Sequence, residues 1–287
     1  MFALLVKPTV AGKRTFRQVL THFDETNVHF IQTHTPADIR AEVQALCEQH
    51  DDVTVVACGG DGTVHLLINS VFGLPVTFGV IPMGTGNDFA RHLGIRTVAS
   101  GVAAVRGDAV HLVDVGSISL ADGSKRKFLG IASCGFDAQV NERANRLRGP
   151  QGTLKYVAAM LGELRELKPI AVSVSANGSS TDQTLTLLAV GNTSSYGGGM
   201  KVCPAADMSD GVFDISQVQA VSRRMLLRVF PRVFRGTHVQ HPAVTVFQTA
   251  AIQLTGAPFA IYADGERIGH GPATLEISPQ ALRVKTL

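Results

Sequence analysis

At 287 residues, 45% hydrophobic and 17% charged, the chain holds enough apolar material for two folded lobes, which excludes a largely disordered protein. A formal charge of +3 falls far short of the concentrated basic excess of a polyanion binder and excludes nucleic acid as an expected partner. Cys47, Cys58, Cys134 and Cys203 stand far apart with no CxxC pair, which excludes a zinc knuckle or dense disulfide framework and suits a reducing cytoplasm.

Phe2 to Val6 is an apolar run of strand length, too short for a secretory leader. No apolar run approaches the length of a bilayer span, so any membrane association is expected to be peripheral, at the inner face. Phe16, Val19, Leu20 and Phe23 then mark a helical face. The alternation repeats: Val28 to Ile31 as strand, Ile39, Val43, Leu46 and Cys47 as helix face, Val53 to Ala57 as strand. Val64, Leu67, Ile68 and Val71 follow on a helix, Val76 to Ile81 as strand, helical material to Val105, and His111 to Val115 closes the series. Alternating βα units with solidly apolar strands predict a parallel sheet covered by helices on both faces, with ligand loops at the strands' carboxyl ends. The expected first domain is a three-layer α/β nucleotide-binding domain over residues 1–115.

Beyond Gly116 the pattern becomes strand-rich. Lys127 to Ala132, then Ile170, Val172 and Val174, an Asn177-Gly178 turn and Leu185 to Val190 predict antiparallel sheet. Val212 to Val218, Val244 to Phe247, Ile252 to Leu254, Phe259 to Ala263, Leu275 to Ile277 and Leu282 to Val284 are further strands. Helices are expected near Leu154 to Leu167 and Arg224 to Phe234, with Pro231 kinking or ending the second. The expectation is a mainly antiparallel β-sandwich over residues 116–281, the last residues, 282–287, returning to the first domain. Arg224, Arg228, Arg232 and Arg235, with Leu226, Val229, Phe230 and Val233 between them, give an amphipathic helix whose basic side suits anionic lipid. A solvated arginine face over a packed apolar one produces the same pattern.

Two glycine-rich loops carry the chemistry. Cys58-Gly59-Gly60-Asp61-Gly62-Thr63 follows a buried strand and opens a helix, the context in which backbone N–H groups and a helix N-terminus cradle phosphate. Thr63 adds a hydroxyl donor, although a tight turn with Asp61 as cap would read alike. Pro82-Met83-Gly84-Thr85-Gly86-Asn87-Asp88 repeats the context, and adjacent parallel strands would bring both loops to one rim, as a triphosphate requires.

With these loops the chain resembles the diacylglycerol kinase catalytic family, which includes bacterial lipid kinases and the related sphingosine and ceramide kinases. Asp114-Val115-Gly116, Gly135-Phe136-Asp137-Ala138, Gly191-Asn192, Tyr196 to Pro204, Asp210-Gly211-Val212-Phe213-Asp214 and Asp264-Gly265-Glu266 extend the likeness in order along the chain. The resemblance implies that Thr33, the segment Cys58, Gly59, Gly60, Asp61, Gly62, Thr63 and Val64, and Gly84, Thr85 and Asn87 contact ATP. Asp264 or Glu266 would be the base for the acceptor, and Asp61, Asp88 and Asp114 would form an acidic network near Lys13. A structural Mg²⁺ would be held by Asp210 with backbone oxygens around Asp207 and Val212. Two departures stand out: Lys7-Pro8 replaces the family's Asn-Pro, and His65-Leu66 replaces the Asn-Glu two residues after GGDGT.

The implied activity is ATP-dependent phosphorylation of a lipid hydroxyl, diacylglycerol to phosphatidic acid, in a cleft between the domains, as a step of phospholipid biosynthesis. Open alternatives are a catalytically silent nucleotide- or lipid-binding regulator, and a kinase for a sphingoid lipid, undecaprenol or NAD. Tyr196 to Pro204 argues against NAD kinase. The family includes dimers, so a homodimer is compatible.

Overall fold

Strands that are apolar on both faces must be covered on both faces, and the first hundred residues satisfy this with a parallel sheet. In the computed structural model, which describes residues 1–31, 35–146, 158–159, 161–164 and 167–287, contacts divide the chain into two units. One is Met1–Val113 with Gln280–Leu287 and the other Asp114–Pro279. Half of the expected helix at Leu154 to Leu167 lies outside the described residues, and residues 158–159 and 161–163 are helical.

The first unit contains β1 (Phe2–Val6), β2 (Val28–Ile31), β3 (Val53–Gly59) and β4 (Val76–Pro82). They run in the order β2-β1-β3-β4, joined beyond β4 by the end of the chain's last strand, and every pairing is parallel. Between them lie α1 (Pro8–Ala11), α2 (Arg14–Leu20), α3 (Pro36–Gln49), α4 (Asp61–Val71), α5 (Asp88–His92) and α6 (Val98–Arg106). Leu4, Val6, Val56, Cys58 and Ile81 pack with Phe16 and Val19 of α2 and Val102 and Val105 of α6. The alternating residues Ala3, Leu5, Val55, Ala57 and Val80 are equally buried and point to the opposite face, where α3 and α4 pack on each other and on β3. The result is three layers. Small residues set the spacing of α6 from β4: a Cβ on Gly79 would lie 2.8 Å from Val105 Cγ2, and one on Gly101 2.8 Å from Pro82 Cδ.

The second unit is mainly antiparallel, a β-sandwich-like array of β5 (Val110–Leu120), β6 (Lys125–Phe128), β7 (Ile131–Gly135), β8 (Ile170–Ala176), β9 (Ser179–Gly191), β10 (Phe213–Gln219), β11 (Val244–Thr249), β12 (Ala251–Gly256), β13 (Ala260–Ala263), β14 (Glu266–His270) and β15 (Ala273–Lys285). The long β9 pairs with β8 through its first half and with β7 and β10 through its second. The β8–β9 turn has Asn177 at φ 50° and Gly178 at φ 76°, the twist a two-residue hairpin favours. Phe128 and Phe213 stack at 5.6 Å in the core. That stack relies on Gly116, where a Cβ would come within 2.3 Å of the Phe128 ring. Helices α7 (Phe136–Arg146) and α8 (Arg223–Val229) complete the unit.

Two local readings change, and one, the end of the basic helix at Pro231, is borne out. The single strand expected from Lys127 to Ala132 is two, because the N–H groups of Leu129 and Gly130 leave the ladder to bond a distant carboxylate, that of Asp264. The strands expected at Leu275 to Ile277 and Leu282 to Val284 are one continuous β15, with Gln280 at φ 49° inside it. The basic helix stops being α-helical at Phe230, and Phe230–Arg235 continues as a 3₁₀ segment, since Pro231 has no N–H for the ladder.

Candidate functional site

β3 and β4 are neighbours in parallel register, Gly59 opposite Pro82, so both glycine loops leave from the same rim. They interlock there. Met83 N donates to Gly59 O at 2.9 Å, and a Cβ on Gly84 would lie 2.4 Å from Gly60 Cα. Asn87, at φ 55°, closes the second loop on itself: its Oδ1 accepts from Gly84 N at 3.0 Å and its Nδ2 donates to Gly84 O at 2.9 Å. Asp61 caps a helix other than its own. Its Oδ1 accepts from Asp88 N at 2.7 Å and Phe89 N at 3.3 Å, the start of α5, where Asn87 supplies no side-chain cap. Gly86 leaves room for this, because a Cβ there would meet Asp61 Oδ2 at 2.5 Å.

The start of α4 lies at the same rim. Gly60 offers no side-chain cap, so this 11-residue helix directs its first-turn N–H groups and positive end to the rim. Thr63 packs on Gly59, where a Cβ would overlap its Oγ1, and Thr63 and Val64 are buried. Cys58 is fully buried and burial pushes its thiol up to about 12, which leaves only its backbone for ligand contact. Thr85 is exposed on the loop. Thr33 lies outside the described residues. Of the expected acidic network, Asp61 and Asp88 are brought together, with Arg91 3.7 Å from Asp88. Lys13 is exposed and makes no ion pair among the described residues.

In the second unit Asp264 and Gly265 form the turn between β13 and β14, at φ 51° and 79°. The Asp264 carboxylate accepts from Leu129 N at 3.1 Å and Gly130 N at 2.8 Å. Glu266 is exposed at the start of β14. Sequence reasoning gave no role to Asn192, which is fully buried. Its Nδ2 donates to Asp114 O at 3.0 Å and Leu129 O at 2.9 Å, and its backbone N–H to Gly130 O. Asn192 thus braces the link that holds Asp264; the Gly191-Asn192 pair was its only signal.

Asp114, also fully buried, serves a different loop from Asp61 and Asp88. Its carboxylate accepts from Gly211 N at 2.8 Å and its N–H donates to Met208 O at 2.7 Å. The loop so held contains Asp207, whose Oδ1 takes Ser209 N and Oγ, and Asp210, whose Oδ1 takes Val212 N at 3.1 Å. Burial pushes the carboxyl of Asp214 up, partly offset by a hydrogen bond from Gln248, and the charge of Asp210 adds to the rise. Among the described residues no cluster of three metal-ligating side chains occurs. An exposed carboxylate with backbone oxygens beside a second acid fits a hard cation that keeps most of its waters, not a tightly caged one.

The second unit also contains a partly open cavity of about 80 Å³. Its wall combines Leu187, Val218 and Val244 of the sheet with Phe136 and Val140 of α7, and Met225, Leu226, Val229, Phe230 and Val233 of the basic segment. Arg223, Arg224, Arg228, Arg232 and Arg235 lie on that segment's exposed side, together with Leu227 (46% exposed) and Phe234 (37%). The sequence has no Asp or Glu between Asp214 and Asp264 to neutralise them. No helix among the described residues is long and apolar enough to cross a membrane.

Residues 4–118 match the diacylglycerol kinase catalytic domain, and residues 130–286 match the YegS C-terminal NAD kinase beta sandwich-like domain. A diacylglycerol kinase of Mycobacterium tuberculosis is 40% identical over 233 residues, covering 80% of this chain and 75% of the relative. This chain belongs to the diacylglycerol kinase family. A diacylglycerol kinase of Bacillus subtilis is 28% identical over 284 residues, 94% of this chain and 90% of its own. A diacylglycerol kinase from Bacillus anthracis, known from its crystal structure, shares the fold with a TM-score of 0.73 at 20% identity, over 100% of this chain and 96% of that one. Membership makes the protein a kinase of the lipid-kinase type.

Proposed function

We propose that this diacylglycerol kinase-family enzyme transfers the γ-phosphoryl group of ATP to a hydroxyl of a neutral lipid, with diacylglycerol as acceptor and phosphatidic acid as product. The observation that carries the reading is the interlocked pair of glycine loops at the carboxyl ends of adjacent parallel strands, over the uncapped start of α4. Phosphoryl transfer asks a protein mainly for positioning and charge neutralisation, and backbone N–H groups on one rim supply both. The segment Cys58 to Val64 with Gly84 and Thr85 would hold the phosphates, Asp61 and Asn87 acting by bracing the loops. Asp264 or Glu266 would take the acceptor's hydroxyl proton as its oxygen bonds the γ-phosphorus and ADP leaves. Mg²⁺, when bound, supplies charge neutralisation; Asp210 and the backbone oxygens around Asp207 and Val212 would hold a structural ion. The apolar cavity supports a lipid acceptor, since hydrocarbon is what its wall best solvates.

The test is mass-spectrometric analysis of lipid products after incubating the purified protein with Mg·ATP and a bacterial lipid extract supplemented with diacylglycerol. Phosphatidic acid is the expected product. A different phosphorylated lipid would replace the acceptor, and absence of any phosphorylated lipid would overturn the reading.

Access to such an acceptor requires a lipid surface, and the arginine face with exposed Leu227 and Phe234 supports peripheral contact there. At about 1 kcal/mol per basic residue near an anionic surface, the triple substitution Arg224→Gln, Arg228→Gln, Arg232→Gln is expected to weaken retention on phosphatidylglycerol vesicles roughly 100-fold. Retention unchanged by both the substitutions and added salt would remove this surface from the proposal.

A further inference from the structure

We propose that Asn192 is a positioning residue of the phosphoryl transfer: through one shared peptide group, its buried amide fixes the direction in which Asp264 presents its carboxylate. The inference rests on the lipid-kinase reading and adds to it a residue that acts through Asp264.

Asn192 follows the last residue of β9, Gly191, which pairs with Ile131 at the start of β7. Its side chain is fully buried. Nδ2 donates to two carbonyls, Asp114 O at 3.0 Å and Leu129 O at 2.9 Å. Carbonyl oxygens only accept, so the end of the amide that faces them is the nitrogen, and both of its hydrogens are engaged. The backbone N–H adds a third bond, to Gly130 O at 2.9 Å.

Leu129 O and Gly130 N belong to the same planar peptide. Asn192 therefore holds that peptide by its oxygen, while Asp264 Oδ1 accepts from its N–H at 2.8 Å. The preceding N–H, of Leu129, reaches Asp264 Oδ2 at 3.1 Å, and Asp264 N donates to Ile131 O at 3.2 Å. A peptide pinned at its oxygen cannot tilt without losing a bond to a buried group. A donor at the carbonyl also polarises the N–H on the other side of the same peptide. The amide of Asn192 thus sets both the place and the strength of the contact that aims the carboxylate. Gly130 completes the arrangement by its size: a Cβ there would stand 2.8 Å from Asp264 Oδ1.

The experiment is a double-mutant cycle assayed with Mg·ATP and diacylglycerol. Asn192→Ser removes the amide donors. It is expected to lower kcat about 10- to 100-fold, the cost of misplacing a positioning group by up to about 1 Å, with KM for ATP within about twofold of wild type. In an Asp264→Asn background the same substitution is expected to change kcat by less than about twofold, because the contact it acts through is already altered. A residue that only stabilised the fold would lower kcat by the same factor in both backgrounds. Gly130→Ala keeps Asn192 and displaces the carboxylate directly, so it is expected to show the same dependence on Asp264 and serves if Asn192→Ser fails to fold. ¹H–¹⁵N NMR reads the link without turnover: the Gly130 amide proton is expected to move upfield in Asn192→Ser as its bond to Asp264 lengthens. Equal factors in the two backgrounds, or an unmoved Gly130 amide, overturn the proposal and leave the kinase reading standing. Absence of any phosphorylated lipid from the wild-type protein is the separate result that overturns the kinase reading, and this assignment with it.

Discussion

Asp264→Asn is expected to lower turnover by two to four orders of magnitude, the span of a positioned general base, while leaving the protein folded. Asparagine is the informative replacement because of where Asp264 sits. Its φ of 51° is a conformation that Asn tolerates and Ala does not. Its two carboxylate oxygens satisfy Leu129 N–H and Gly130 N–H; asparagine's single amide oxygen keeps one of these bonds and turns its NH2 toward the other donor, a smaller loss than alanine's. Alanine would strain the turn and orphan both donors, at about 1–3 kcal/mol for each buried group, so a loss of activity in Asp264→Ala would mix misfolding with chemistry. The exposed Glu266 is the complementary probe: Glu266→Gln is expected to stay within about 0.5 kcal/mol of wild-type stability. Steady-state kinetics beside thermal melts of both variants separate the cases. A collapse of kcat in only one of them identifies the base; full turnover in both removes the base from this turn.

The geometry around Asp264 also shows where periodicity stops being informative. β1, β3 and β4 were readable because burial on both faces leaves a continuous apolar run, and the loops after β3 and β4 were readable because glycines at strand ends have few other uses. The break between β6 and β7 was not. Residues Lys127 to Ala132 look like one strand, and what divides them is a carboxylate 134 residues further on. Asp61 shows the same limit: adjacent sequence makes it a cap for α4, whereas its oxygen caps α5 across the second loop. The cavity wall is drawn from β9, β10, β11, α7, α8 and the turns beyond, and each contributor reads locally as ordinary core. Local pattern reports which face is buried; it carries no signal about which distant donor or wall it is buried against.

The second large effect follows from that contact between loops: Gly84→Ala is expected to raise KM for ATP at least tenfold. No unusual backbone angle is involved, since Gly84 is absent from the positive-φ glycines; the constraint is space. An added Cβ would stand 2.4 Å from Gly60 Cα, 3.0 Å from Gly60 N and 2.9 Å from Asn87 Oδ1. Two of these are backbone atoms, which cannot rotate aside, so the loops must part. Parting them strains the Asn87 bonds to Gly84 and the Met83 to Gly59 bond, and displaces the start of α4 relative to the second loop. A misplacement of about 1 Å in a positioning group costs as much as 100-fold. Gly12→Ala is the matched control, because nothing lies within 4 Å of its added Cβ and its φ is −76°. Wild-type ATP affinity in a folded Gly84→Ala protein would mean that nucleotide phosphates do not depend on the joined rim, and the proposal for these loops would fall with it.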